Sequence, residues 1–132
     1  FAAQWIDADA LKSKLDSYDI PGVAFRVIHY SPFFGGSTGK MLNGVQYFYT
    51  DYEKATITLT QFYVMQALNE LYPDHSPFVV STNTTDMFDK VCGTDFVRKT
   101  FSKELKVSDI IEYWNKDVSA FKTLSKKYYL YK

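Results

Sequence analysis

The sequence of 132 residues holds a single cysteine, Cys92, and only two histidines, His29 and His75. One thiol cannot close an intrachain disulfide, so no disulfide framework braces this fold, and that is compatible with any compartment. Neither histidine stands at ligand spacing with Cys92 or with an acidic residue, so no protein metal site and no cofactor is expected. Charge of one sign is also missing. Lys plus Arg and Asp plus Glu number 15 each, which removes the positive field that draws proteins to nucleic acid through counterion release. No run approaches the roughly 18 apolar residues of a membrane span, and no basic, apolar, small-residue stretch opens the chain as an export signal would. Because the chain starts at Phe1 and not at Met, a processed or truncated N-terminus is expected. Six glycines and four prolines are too few for a collagen-like or low-complexity chain.

What the sequence has in quantity is aromatic residues, 18% of the chain, with eleven Tyr and eleven Phe. Rings can line a sugar-stacking surface, but they fill cores more often, and the core is the expected use here. The length suits one domain with one hydrophobic core.

Local signals mark out the elements. Asp7 is placed to cap a helix, with Ile6 and Leu11 at the hydrophobic-staple spacing and Leu11, Leu15 and Tyr18 on one face. Ile20-Pro21-Gly22 ends that helix. Val23 to Tyr30 then alternates as a strand, with Val23, Phe25 and Val27 on one side and Ala24, Arg26 and Ile28 on the other, and Gly44 to Thr50 reads the same way. Between them Ser31 to Asn43 forms a long loop with Phe33, Phe34, Gly35, Gly36 and Gly39, either a functional loop or a hairpin tip. A helix is expected over Thr56 to Tyr72, stopped by Pro73. Leu59, Phe62 and Met65 fall off its main apolar stripe, so it packs on more than one side or meets a partner domain.

Downstream, a short strand is expected at Phe78 to Ser81, then two short helices capped by Thr85 and Thr94 and separated by Gly93. One last helix is expected to carry Ile110, Trp114, Val118 and Phe121 on one face, with Ser108 as cap, and to pack across the sheet. Tyr128 to Tyr131 would follow as a final strand. The fold class is α+β: a small, mainly antiparallel sheet packed against several helices in a single domain.

Chemical motifs are sparse. No serine sits in a G-x-S-x-G elbow, and Cys92 has no motif-level histidine partner. Gly35-Gly36-Ser37-Thr38-Gly39-Lys40 has the wrong order for a phosphate loop. Asp51, at the end of the second strand, is the best-placed acid, yet an Asp there commonly forms a turn with its own backbone. Glycoside hydrolysis would need a second carboxyl facing it, and none is evident. Gln46 either points to solvent or offers directed hydrogen bonds to a polar ligand.

Several segments, taken in order, resemble one family. They are Pro21-Gly22-Val23 with Phe25-Arg26, Pro32, Gly44-Val45-Gln46 with Thr50-Asp51, Leu71-Tyr72-Pro73, Phe88-Asp89, Gly93-Thr94-Asp95, Trp114 with Asp117 and Phe121, and Lys127-Tyr128-Tyr129-Leu130-Tyr131. Together they resemble the C-terminal domain of the NamZ-type exo-β-N-acetylmuramidases, over almost the whole chain. The resemblance implies a Rossmann-like catalytic domain earlier in the same polypeptide as partner, and a muropeptide or other N-acetylmuramic-acid-containing glycan as ligand. It implies a cleft between the two domains, with Gln46, Asp51, Arg26 and Phe34 on this domain's wall, and a bacterial envelope setting, periplasmic or secreted. Docking on the catalytic domain is expected through Leu59, Phe62 and Met65. Where many relatives carry an Arg-containing stretch after the Thr-Asp pair, Tyr52 to Leu59 contains none, which puts a contact there in doubt. The alternatives are a stand-alone carbohydrate-binding module presenting Phe33, Phe34, Tyr47 or Tyr49, and a structural domain that touches no ligand.

Overall fold

The structure is a computed structural model that describes residues 1–76, 78 and 85–131. The chain is α+β and divides into two compact units, Phe1–Thr82 and Asn83–Lys132.

The first unit begins with β1 (Ala2–Ala3), followed by helix α1 (Ala8–Asp16). Asp7 caps α1 as its sequence position suggests: the carboxylate accepts from the amides of Asp9 and Ala10, both at 3.0 Å, satisfying donors that the first turn leaves free. Ile6, Leu11 and Leu15 are buried on one side. The chain leaves α1 through Asp19, which takes a positive φ, and Pro21-Gly22. Gly22 cannot carry a side chain. Its φ is +70°, and a Cβ would lie 2.3 Å from the carbonyl oxygen of Asp51, while its own carbonyl accepts from Thr50 at 2.8 Å.

Strands β2 (Val23–Tyr30) and β3 (Leu42–Tyr49) pair antiparallel, and β1 joins the other edge of β3 to give the order β1-β3-β2. The observed β3 starts two residues before the Gly44 expected from the pattern. β1 was not expected at all, because two alanines carry no alternation. Its position is legible only in the register, Ala2 opposite Gly44 and Ala3 opposite Asn43. One face of the sheet turns Phe25 and Val45 into a core shared with Ile6, Leu11, Leu15, Ile20, Val64 and Ala67.

A 3-10 turn, Ile57–Leu59, leads into α2 (Thr60–Leu71), so the expected single helix has a tighter first turn. Tyr72 leaves helical geometry just before Pro73, as the proline requires. Its phenol oxygen accepts the Asp7 amide at 2.9 Å, tying the end of α2 to the cap of α1. The strand expected at Phe78 to Ser81 lies outside the described residues apart from Phe78.

The second unit contains α3 (Thr85–Cys92) and α4 (Phe96–Glu104) on either side of Gly93. Thr85 is the first residue of α3. The cap position of α4 is Asp95 and not the expected Thr94, although the Thr94 hydroxyl oxygen accepts from the Phe96 amide at 3.1 Å. Arg98 grips Asp89 with two parallel bonds of 2.8 and 2.7 Å, a fork-to-fork pair that joins α3 to α4.

The long last helix is corrected by the structure into two, α5 (Ser108–Asn115) and α6 (Val118–Ser125). The Asn115 side chain donates to the Ile111 carbonyl at 3.0 Å, and Asp117 leaves α-helical geometry at φ −108°, ψ −1°. Its carbonyl then accepts from Phe121 at 2.9 Å, starting a new helix. The expected apolar face is therefore split: Ile110 is buried, whereas Val118 and Phe121 are exposed. Ser108 is not the cap; it is the first helical residue, and its hydroxyl bonds the Asp109 carboxylate at 3.1 Å. The final strand is likewise corrected, since Lys126–Tyr128 forms a 3-10 turn and Tyr129 to Tyr131 pair with no strand. No helix among the described residues is long and apolar enough to cross a membrane.

Candidate functional site

Alternation along β2 and β3 puts Phe25 and Val45 inward, and the same period sends Arg26 and Gln46 to the open face of the sheet. The register then sets them directly opposite each other. Gln46 Oε1 accepts from Arg26 Nε at 2.9 Å and from Nη2 at 2.7 Å. The guanidinium also sits 5.1 Å from the centre of the Phe48 ring, within cation–π range. Arg26 has no carboxylate partner among the described residues, in contrast to Arg98, and two of its five N–H groups are used on a neutral amide. A cation held in place but not neutralised is suited to receive an anion. On the same face Ile28 and Tyr30, with Phe1 and Tyr47 from beside them, border a shallow depression of about 530 Å³ that reaches Gln46.

The other two expected site residues are placed differently. The Asp51 carboxylate accepts from the amides of Glu53 and Lys54 at 3.0 and 3.3 Å and pairs with the Lys54 ammonium at 2.8 Å. The Lys54 contact holds its pKa below the ordinary carboxylate value. Asp51 is thus committed to its own turn, the role an Asp at a strand end commonly takes. Phe34 stands 84% exposed in the loop between β2 and β3 and makes no ring contact among the described residues. That loop is built from turns: Gly35 O accepts from the Thr38 amide at 3.1 Å and from the Thr38 hydroxyl at 2.7 Å, and Ser37 O accepts from Lys40 at 3.1 Å. Of the four residues, the fold brings Arg26 and Gln46 together and adds Phe48. Sequence reasoning missed Phe48, although it lies two residues beyond Gln46 on the same strand face.

Leu59 and Phe62 are 2% and 0% exposed, and Met65 is half-buried. A docking face made of these three needs free surface, and burial removes it from the first two.

Burial and hydrogen bonding shift several titratable groups. The carboxyls of Asp51, Glu70, Asp89 and Glu104 are all shifted downward. For Glu70, burial acts upward but is outweighed by bonds from Lys14 and Gln66, whereas a glycosidase general acid has to be raised. Cys92 is pushed up by burial, with Asp89 adding to the effect, so its thiolate is suppressed. No group of His, Cys, Asp and Glu side chains among the described residues is arranged to hold a metal ion.

In the second unit a groove of about 690 Å³ is lined by Tyr113, Trp114, Phe121 and Tyr129, together with Lys116 and Asp117. Several of these positions stood among the segments of the resemblance, yet nothing in their spacing indicated a groove.

Comparison with known proteins agrees with the fold and the motifs. The family described as exo-β-N-acetylmuramidase NamZ, C-terminal, matches residues 1–131. The peptidoglycan β-N-acetylmuramidase NamZ of Bacillus subtilis (strain 168) is 31% identical over 129 residues, which is 98% of this chain and 30% of that protein. The crystal structure of a DUF1343 family protein from Bacteroides fragilis NCTC 9343 superposes with a TM-score of 0.94 at 42% identity, covering 100% of this chain and 35% of the other. The chain therefore spans about a third of the length of these relatives.

Proposed function

This chain belongs to the C-terminal domain family of the NamZ exo-β-N-acetylmuramidases, and from that premise we propose that it is the accessory part of a peptidoglycan glycosidase, inactive alone. In this reading the rest of the polypeptide supplies the catalytic groups, and the open face of the β-sheet forms one wall of the substrate cleft. The ligand is a glycan ending in N-acetylmuramic acid. Its lactyl carboxylate calls for an unneutralised arginine, and its sugar face calls for a ring.

The observation that carries this reading is Arg26, held by Gln46 against Phe48 with no carboxylate partner among the described residues. Gln46 fixes the fork, and the remaining guanidinium N–H groups are free to bind the anion. Phe34, exposed in the adjoining loop, is the further candidate contact, and Asp51 acts indirectly by holding the turn after β3. None of the four carboxyls with a shifted pKa is raised as a general acid would be, which supports the inactivity of the isolated chain. Peptidoglycan as substrate sets the parent protein in the bacterial envelope, periplasmic or secreted.

Steady-state kinetics of the full-length enzyme on a chromogenic N-acetylmuramide test this. Arg26→Ala is expected to raise KM by about 10- to 100-fold, the loss of a charge-assisted contact worth roughly 1.5–3 kcal/mol. An unchanged KM would remove the sheet face from the cleft. The carbohydrate-binding-module reading needs coplanar exposed rings. The aromatic series Phe1, Tyr47, Tyr49 and Tyr52 is tilted at 36°, 64° and 46° between neighbours, which disfavours a flat sugar platform there.

A further inference from the structure

Helix α6 presents an unusual balance: none of its eight residues is buried. Helices this short are marginal in water and draw their stability from an apolar face packed on something else. α6 has the apolar face. Phe121 is 66% exposed and Leu124 53%, and the segment that follows adds Tyr128 at 69% and Tyr131 at 88%. Phe121 and Leu124 share one side of α6 at a spacing of three residues, Tyr128 closes the 3-10 turn that follows, and Tyr131 lies in the non-helical segment beyond it. Tyr129 and Leu130 are also largely exposed. At roughly 200 Å² per ring, the aromatic residues from Phe121 to Tyr131 alone leave on the order of 500 Å² open, at the upper end of what a soluble monomer shows as a contiguous patch. The groove of about 690 Å³ runs along the same helix and shares Phe121 and Tyr129 with this surface.

We propose that the apolar face of α6 and the Lys126–Tyr131 segment is the seat of the part of the same polypeptide that precedes Phe1. This rests on the reading of the chain as the C-terminal domain of a longer enzyme. The occupant follows from length and position: the matched region is C-terminal in its family, and it makes up only 30% and 35% of the two relatives. The greater part of such a polypeptide is thus available on the N-terminal side. The exposed area falls near the lower bound of interfaces between domains of one chain, roughly 600–1,500 Å². Leu59 and Phe62, buried as they are, cannot serve this purpose. Lys122 lines the groove with no carboxylate partner among the described residues, whereas Lys116 pairs with Asp117 at 3.9 Å, so the segment that covers the surface is expected to be apolar with an acidic residue near Lys122.

The test uses the full-length protein with p-benzoylphenylalanine in place of Phe121 and, separately, in place of the exposed Lys103 of α4. After irradiation, cross-links from position 121 to peptides preceding Phe1, and none from position 103, are expected. Cross-links confined to residues 1–132, cross-links to a second copy, or none at all from position 121 would overturn the proposal. As a second measurement, Phe121→Glu with Leu124→Glu is expected to speed amide exchange across 118–128 by more than about tenfold while Leu11 stays protected. Unchanged exchange would also overturn it. Release of N-acetylmuramic acid by the unsubstituted protein is scored separately. Cross-links without release would leave the docking surface standing and remove the enzymatic reading, and release without cross-links would do the reverse.

Discussion

Gly44 lies in the middle of β3, between two neighbouring strands, and its missing side chain is what lets β1 approach. A Cβ built there would fall 1.9 Å from the carbonyl oxygen of Phe1 and 2.6 Å from the Cα of Ala2. Both obstacles are backbone, so no side-chain rotation can make room. Gly44→Ala should therefore lift β1 off the sheet. The visible losses are the bond from Phe1 N to Val45 O at 3.1 Å and the return bond from Val45 N to Phe1 O at 2.9 Å, with the ladder opposite Gly44 and Asn43 disturbed. At about 1 kcal/mol net per hydrogen bond these amount to about 2–3 kcal/mol. The lower unfolded-state entropy of alanine offsets roughly 0.4–1 kcal/mol of that. A net loss of about 2 kcal/mol is expected, or roughly 5–10 °C in Tm. Urea unfolding followed by Trp5 fluorescence gives the stability, and amide exchange at Val45 reports the ladder directly. Gly36→Ala is the control, because nothing lies within 4 Å of its Cβ position, and its stability should be unchanged or slightly raised. If Gly44→Ala unfolds at the wild-type urea concentration with the Val45 amide still protected, the steric account of this glycine is wrong.

Three further outcomes follow from the structure. Leu15→Ala, at a fully buried site between α1 and the sheet, should cost about 2–5 kcal/mol in urea unfolding. Tyr72→Phe removes the acceptor of the Asp7 amide and should cost about 1 kcal/mol, with faster exchange of that amide as its signature. The pH dependence is set in part by Asp89, whose pKa is lowered chiefly by its hydrogen bond from Arg98. A depressed folded-state pKa contributes stability that is complete above the unfolded value near 3.9 and is lost as pH falls through the lower folded value. Arg98→Ala should therefore flatten the acid limb of the stability curve below about pH 4, and an acid limb unchanged from the wild type would dissociate the pair from acid unfolding.

The first unit was largely legible because each of its signals is local. Asp7, the Ile6–Leu11 pair, Pro21-Gly22 and the alternation of β2 each act through a few neighbouring residues, and the structure realises them one by one. What could not be read was the register. That Arg26 faces Gln46, and that Phe48 stands beside both, depends on how the loop from Ser31 to Met41 closes. A slip of one residue would have sent a different set of side chains to the open face. β1 escaped notice for a related reason, since its two alanines acquire a role only from the gap that Gly44 leaves opposite them.

The second unit was misread in a more instructive way. Ile110, Trp114, Val118 and Phe121 do recur at helical spacing, but periodicity reports that a segment has an apolar side and is silent on what covers it. Asn115 and Asp117 lie between the two halves of that pattern, and each offers the backbone a local alternative to continuing the helix. The Asn115 side chain takes its alternative by bonding the Ile111 carbonyl, and at Asp117 the backbone leaves helical geometry with no side-chain cap bond. The break separates a half that is buried at Ile110 from a half that is exposed at Phe121. A stripe meant for a single interior has no reason to be interrupted in this way, whereas one that must meet two different surfaces does. On that argument the break in helical geometry at Asp117 belongs to the design of the fold, and a substitution that restored one continuous helix from Ser108 to Ser125 would change the surface that Phe121 and Leu124 now form.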